Sequence, residues 1–246
     1  MKVEAVVVEP DDDLDDTPDA PEERPVEAAA APTPEERRIR IRELALVLSV
    51  AFLGPVFNSL VTWWSGEAVP PEDAVSSIYR ILRAAITLSL LAYVLSRRGW
   101  TLKTIGVTAQ RSDILWALAV AFCSKLVAGG IATLFIVYGV TVPHRLPSPP
   151  PGFLEWLAVV PSAAMEELIV RAYMMTELAA LTGSMAVAVI ASVGFQCFYH
   201  LYQGVPAALY HIGTFFTFAV FYASTRRATP AVLAHALENF LILARS

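Results

Sequence analysis

Cysteine is scarce in this sequence. Only Cys123 and Cys197 occur, and both sit inside apolar runs. A disulfide framework and a cysteine-type structural zinc site are excluded, and both thiols read as small apolar fillers. Charge is also thin. Charged residues make up 17% of the chain and apolar residues 56%, against about 25% and 45–50% in ordinary soluble domains. That balance argues against a soluble globular enzyme. No basic block is interleaved with aromatics, so no nucleic-acid partner is expected. No alternating segments of about ten residues occur, which excludes a membrane β-barrel. No internal repeat is evident.

The net charge of −5 is an average over two unlike regions. Residues 1–36 carry 13 acids and two bases, and residues 37–246 carry 10 acids and 16 bases. The first region holds Asp11, Asp12, Asp13, Asp15 and Asp16, followed by an Ala/Pro/Glu stretch. It has too little apolar surface to offset its chain entropy, so 1–36 is expected to be a disordered acidic tail. Val6, Val7 and Val8 are too few for a signal-peptide core.

What is abundant is long apolar runs. Residues 44–64 contain no charge and end on Trp63 and Trp64, which fits a ~30 Å hydrocarbon core with an aromatic belt. Further runs cover 78–96, 114–142, 153–181, 185–202, 205–225 and a short last one at 231–244. The expected fold is therefore all-α: a polytopic transmembrane helix bundle of about seven spans, occupying 37–246. Basic residues gather at 37–42, 97–111 and 226–227. With seven crossings these stretches share one side with the N-terminus. That side is expected to be the cytoplasm, in a multi-pass cell-membrane protein. Arg80 and Arg83 near the start of the second run are expected to snorkel.

A charge at the bilayer centre costs roughly 2.5–3.5 kcal/mol on insertion scales. Ionisable groups there need a reason, and most of them lie in the last four runs: Glu166, Glu167, Arg171, His200, His211, His235 and Glu238, with Asn239 beside them. Glu167 and Arg171 are four apart and pair on one helix face. Glu166 is turned away by about 100° and has no local partner, as suits a general base. His200 and His235 lie on separate helices. An imidazole there can ligate a metal, hold a water or donate to an oxyanion. Asn239 shares a helix face with His235 and can complete a donor pair for developing negative charge. His211 is expected to hydrogen-bond within the bundle, Lys125 to pair with a carboxylate or line an aqueous cavity, and Tyr199, Tyr202 and Tyr210 to serve as belt or packing residues.

Three elements occur in order: Glu166-Glu167-x-x-x-Arg171, Phe195 through His200, and His235-x-x-x-Asn239. This set resembles the CAAX-protease and bacteriocin-processing family of intramembrane proteases, over about residues 150–244. The stretches 198–204 and 230–239 are similar to bacterial members. The family pattern has phenylalanine four residues before the histidine. Here that place is Gln196, and Phe195 stands one position early.

The resemblance implies an intramembrane endopeptidase that hydrolyses a peptide bond of a membrane-associated protein or peptide. Glu166 would activate the water, His200 would hold it, His235 and Asn239 would take the oxyanion, and Glu167 and Arg171 would orient the site. A divalent metal such as zinc on Glu166, His200 and His235 is an equally open reading. A non-catalytic scaffold or immunity-type protein is the second class of function, and an ion-coupled transporter the third. Counting 1.5 Å per residue puts Glu166 and His200 about 22–25 Å from the basic side, but His235 only about 10 Å along its short helix. Either the last helix starts deep in the protein, or it is strongly tilted, or a boundary is misplaced, and its short length favours the first.

Overall fold

A computed structural model describes residues 33–66, 73–140 and 150–245. Residues 1–32 of the acidic tail lie outside the described residues, as does most of the Pro-rich connector before 150. The described chain is helical, with no strand among the described residues. Its helices are α1 (Pro34–Ser65), α2 (Ala74–Arg97), α3 (Ser112–Val137), α4 (Phe153–Glu166), α5 (Met175–Thr182), α6 (Met185–Tyr199), α7 (Val205–Tyr210), α8 (Ile212–Thr225) and α9 (Thr229–Leu243). A π-helical stretch, Glu167–Met174, joins α4 to α5 without a break. α7 and α8 likewise form one rod with an offset at His211. Seven helical rods result, in line with the expected bundle.

Local chemistry sets the starts. Thr33 accepts the Glu36 backbone N–H, the Glu36 carboxylate accepts the Thr33 N–H, and Pro34 follows the cap. α1 thus begins three residues before the arginine-rich stretch, and residues 34–36 of the acidic segment are helical. Asp73 and Ser76 make the same reciprocal cap on α2.

Four rods are long and apolar enough to cross a membrane: Pro34–Ser65, Ala74–Arg97, Ser112–Val137 and Val205–Thr225. Their outward faces are apolar, as at Leu53, Phe57, Ile86, Phe122 and Leu126. Their inward faces hold buried polar groups such as Ser59, Thr87 and Ser124. This inversion of the soluble pattern is what a lipid surround selects.

α1 packs on α2 and α6, α2 on α4, α5 on α6, α3 on α8 and α9, and α4 on α9. The larger core joins Val47, Phe52, Leu91, Ile169, Tyr173 and Tyr222.

The basic stretches meet at one end of the bundle. Arg98 pairs with Glu43 of α1 and with Glu177 of α5, the latter at 2.5 Å. Burial works against the Arg98 charge, but Glu177 and Glu43 outweigh it and raise its pKa above the ordinary arginine value. Arg227 pairs with Asp113 at the start of α3.

α9 spans 15 residues, about 22 Å, less than the hydrocarbon core. Its start is buried against the loop before α3, at the basic end of the bundle. Ala228 is fully buried and donates its N–H to the Gly106 carbonyl at 2.8 Å, while Thr229 Oγ1 exchanges hydrogen bonds with both backbone groups of Thr108. Gly106 permits this docking. Its φ is +83°, and a Cβ there would stand 2.0 Å from the Arg226 carbonyl oxygen. Tyr222 adds a second anchor, donating to the Ala172 carbonyl at 3.1 Å.

Candidate active site

Two adjacent carboxylates address two different helices. Glu166 ends α4 and Glu167 opens the π-helical stretch, so successive side chains point in different directions. Glu166 turns toward α6, where Tyr199 donates its hydroxyl to Glu166 Oε2 at 2.9 Å. Glu167 turns toward α9 and accepts from His235 Nδ1 at 2.8 Å. Widened π turns recur at functional positions. Here one lies where the carboxylates diverge.

The Glu167–Arg171 pair forms as expected, at 3.4 Å. Both residues are fully buried. The Arg171 guanidinium makes no hydrogen bond among the described residues. It rests instead over the rings of Phe215 and Phe218, 5.7 and 6.0 Å from their centroids. Those phenylalanines sit three apart on α8 and form a wall. His200 lies 5.0 Å from the Phe215 ring and His235 6.2 Å from the Phe218 ring. One aromatic face thus links Arg171, His200 and His235.

His200 closes α6. Its Nδ1 lies 2.9 Å from the Gln196 carbonyl oxygen. A carbonyl can only accept, so Nδ1 carries the hydrogen and the neutral ring offers Nε2 as an acceptor. His235, with Nδ1 committed to Glu167, likewise has only Nε2 free. Glu166, His200, His235 and Asn239 each keep part of their surface accessible, whereas the supporting Glu167 and Arg171 do not. Asn239 lies one turn beyond His235 on α9.

The remaining expectations sort cleanly. His211 bonds within the bundle, its Nε2 2.9 Å from Gln203 Oε1. Lys125 pairs with a carboxylate, Glu238, at 2.6 Å, and Ser124 also donates to Glu238. Glu238 is thereby drawn to α3, away from Glu167. Tyr199 packs in the core as expected and, in addition, donates its hydroxyl to Glu166. The Arg83 guanidinium lies over the Tyr79 ring, 5.8 Å from its centroid. The early Phe195 packs edge-on against Tyr199 at 5.7 Å and Phe52 at 5.2 Å. The ring beside His200 comes from another helix, as Phe215.

The same geometry tests the metal reading. Among the described residues, no group of three or more His, Cys, Asp or Glu side chains is placed to hold a metal ion. His200 and His235 each present one free nitrogen, but the Glu166–His200–His235 ligand set is not assembled.

The family model for type II CAAX prenyl endopeptidase Rce1-like proteins matches residues 149–241. That stretch spans all three ordered motifs, and the family is the one they resemble. The fold is that of a multi-pass helical membrane protein, and residues 149–241 are similar to the CAAX-type endopeptidase family. Searches of curated proteins and of solved structures gave no match.

Proposed function

We propose that this protein is an intramembrane endopeptidase that cleaves a membrane-associated protein or peptide with a water activated by Glu166. The observation that carries the reading is that part-exposed Glu166 is bonded to Tyr199, whose ring lies 4.5 Å from His200, while the adjacent Glu167 holds His235 of a separate helix, inside an apolar bundle. Low dielectric and fixed dipoles make such groups effective against developing charge.

The proposed steps use only side chains of this chain. His200 Nε2 accepts one hydrogen of the water and aims it. Glu166 takes the other proton as oxygen attacks the scissile carbonyl carbon. His235, as an imidazolium held by Glu167, donates from Nε2 to the carbonyl oxygen as it becomes an oxyanion. The Asn239 amide provides the second donor. Glu166 then returns its proton to the leaving amine, and the C–N bond breaks. Arg171 fixes Glu167, and hence the ring of His235.

We further infer that the N-terminus and the basic end of the bundle face the cytoplasm of a cell membrane, because the arginine-rich stretches gather there. Substrates reach the site from the lipid phase or its surface.

The test reconstitutes the full chain in proteoliposomes with a quenched fluorescent peptide, farnesylated in one series and unmodified in another. Cleavage of either, lost in Glu166→Ala and in His235→Ala with thermal unfolding unchanged, is the expected outcome. Cleavage that persists in both variants removes the proposal.

A further inference from the structure

The Glu166 carboxylate is approached by a second chain of groups that the steps above do not use. Gln196 Nε2 donates to Tyr199 Oη at 3.1 Å, and Tyr199 Oη donates to Glu166 Oε2 at 2.9 Å. Both residues are buried, Gln196 completely. The direction of this chain follows from chemistry. A carboxylate only accepts, so the Tyr199 hydroxyl spends its single hydrogen on Glu166 and must accept from Gln196.

The ring of Tyr199 has little freedom. Phe52 of α1 stacks on it at 4.9 Å with planes 28° apart, Phe195 meets it edge-on, and His200 lies 4.5 Å away. The backbone carbonyl of the same residue receives His200 Nδ1, a contact that does not depend on the side chain. One turn of α6 therefore sets both the Glu166 carboxylate and the His200 ring.

The arrangement carries a penalty that packing alone does not explain. Gln196 Oε1 is buried with no hydrogen-bond partner among the described residues. An apolar side chain of similar length would fill the position without leaving a buried acceptor unpaired.

We propose that Gln196 and Tyr199 are positioning residues for the hydrolysis. Together they hold Glu166 Oε2 and leave Oε1 to take the proton of the attacking water. This rests on Glu166 being the general base. It adds two residues of this chain that set which carboxylate oxygen reacts.

The experiment uses the full chain in proteoliposomes and two variants that delete only a hydrogen-bonding group, Tyr199→Phe and Gln196→Met. Thermal unfolding checks the fold of each. The infrared carboxylate band of Glu166 is identified by its loss in Glu166→Gln. It is expected to move in both variants, because each alters the hydrogen bond reaching Oε2. On the quenched peptide, kcat is expected to fall roughly 10–100-fold, the scale of a misplaced catalytic group, with KM little changed. A band that stays in place in both variants overturns the relay. A band that moves while kcat holds overturns the positioning role. Hydrolysis that survives Glu166→Gln overturns the general-base reading and this role with it. That result stays distinguishable, because the band comparison needs no turnover.

Discussion

Tyr199 on α6 donates to the Glu166 carboxylate at the end of α4, across 33 residues of sequence and 2.9 Å of space. One residue further along, Glu167 accepts from His235 on α9. Two neighbouring acids thus tie one rod to two others. The first stays accessible and the second is sealed under Arg171. The proposed function gives the reaction to Glu166 and its support to Glu167.

The buried support has an energetic signature. Removing Arg171 alone, as Arg171→Met, leaves Glu167 charged inside the bundle, a change worth about 3–5 kcal/mol. Glu167→Gln strands the arginine by a similar amount. The double variant Glu167→Gln/Arg171→Met is expected to recover much of that loss. Chemical unfolding in detergent micelles measures it, and a double variant no better than the worse single one contradicts the pairing.

Docking of α9 depends on glycine at 106. Gly106→Ala places a Cβ against the Arg226 carbonyl in a left-handed conformation, a strain of at least about 1–3 kcal/mol. The expected result is lower thermal stability and weaker cleavage, because α9 carries His235. Gly66→Ala has open space around its Cβ at a similar φ of +67°. It is expected to lower stability less and to leave cleavage unchanged.

The α3–α9 contact makes a parallel case. Lys125→Met leaves Glu238 with Ser124 as its partner and is expected to destabilise by roughly 1–3 kcal/mol. Lys125→Met/Glu238→Gln is expected to be milder than Lys125→Met alone, as read by thermal unfolding.

Much of this was legible in the sequence because lipid penalises charge. Glu166, Glu167, Arg171, His200 and His235 stand out where apolar residues are expected, and their helical spacing exposes the Glu167–Arg171 pair. Partners on other helices were not legible. Nothing local to Tyr199 distinguishes it from a packing tyrosine, since its role exists only once α4 and α6 meet. The same holds for Glu167 with His235, 68 residues apart, and for Lys125 with Glu238. The π-helical stretch was hidden because apolar periodicity is nearly alike for π and α turns over eight residues. The shortness of α9 was legible. The clamp between Gly106 and Ala228 that buries its start at the basic end was not.

At the far end of α2 from Arg98, the cap on that helix should respond to acid. The Ser76 backbone N–H, and then its hydroxyl, hold the Asp73 pKa below the ordinary value. The cap therefore stabilises the first turn above the unfolded value of about 3.9. That contribution is lost as pH falls from there through the lower folded value. Hydrogen exchange at the amides of 74–77 is expected to speed up in acid for the natural chain. Asp73→Asn, a cap without a titrating group, is expected to show no such change.

The central claim is that Glu166 activates the water. The most direct measurement compares peptide cleavage by the reconstituted natural chain with Glu166→Gln, which keeps size and hydrogen bonding but cannot take a proton. A fall of about 10²–10⁴ in kcat, with unfolding temperature unchanged, is the result expected. Cleavage by Glu166→Gln within a few-fold of the natural rate contradicts the account.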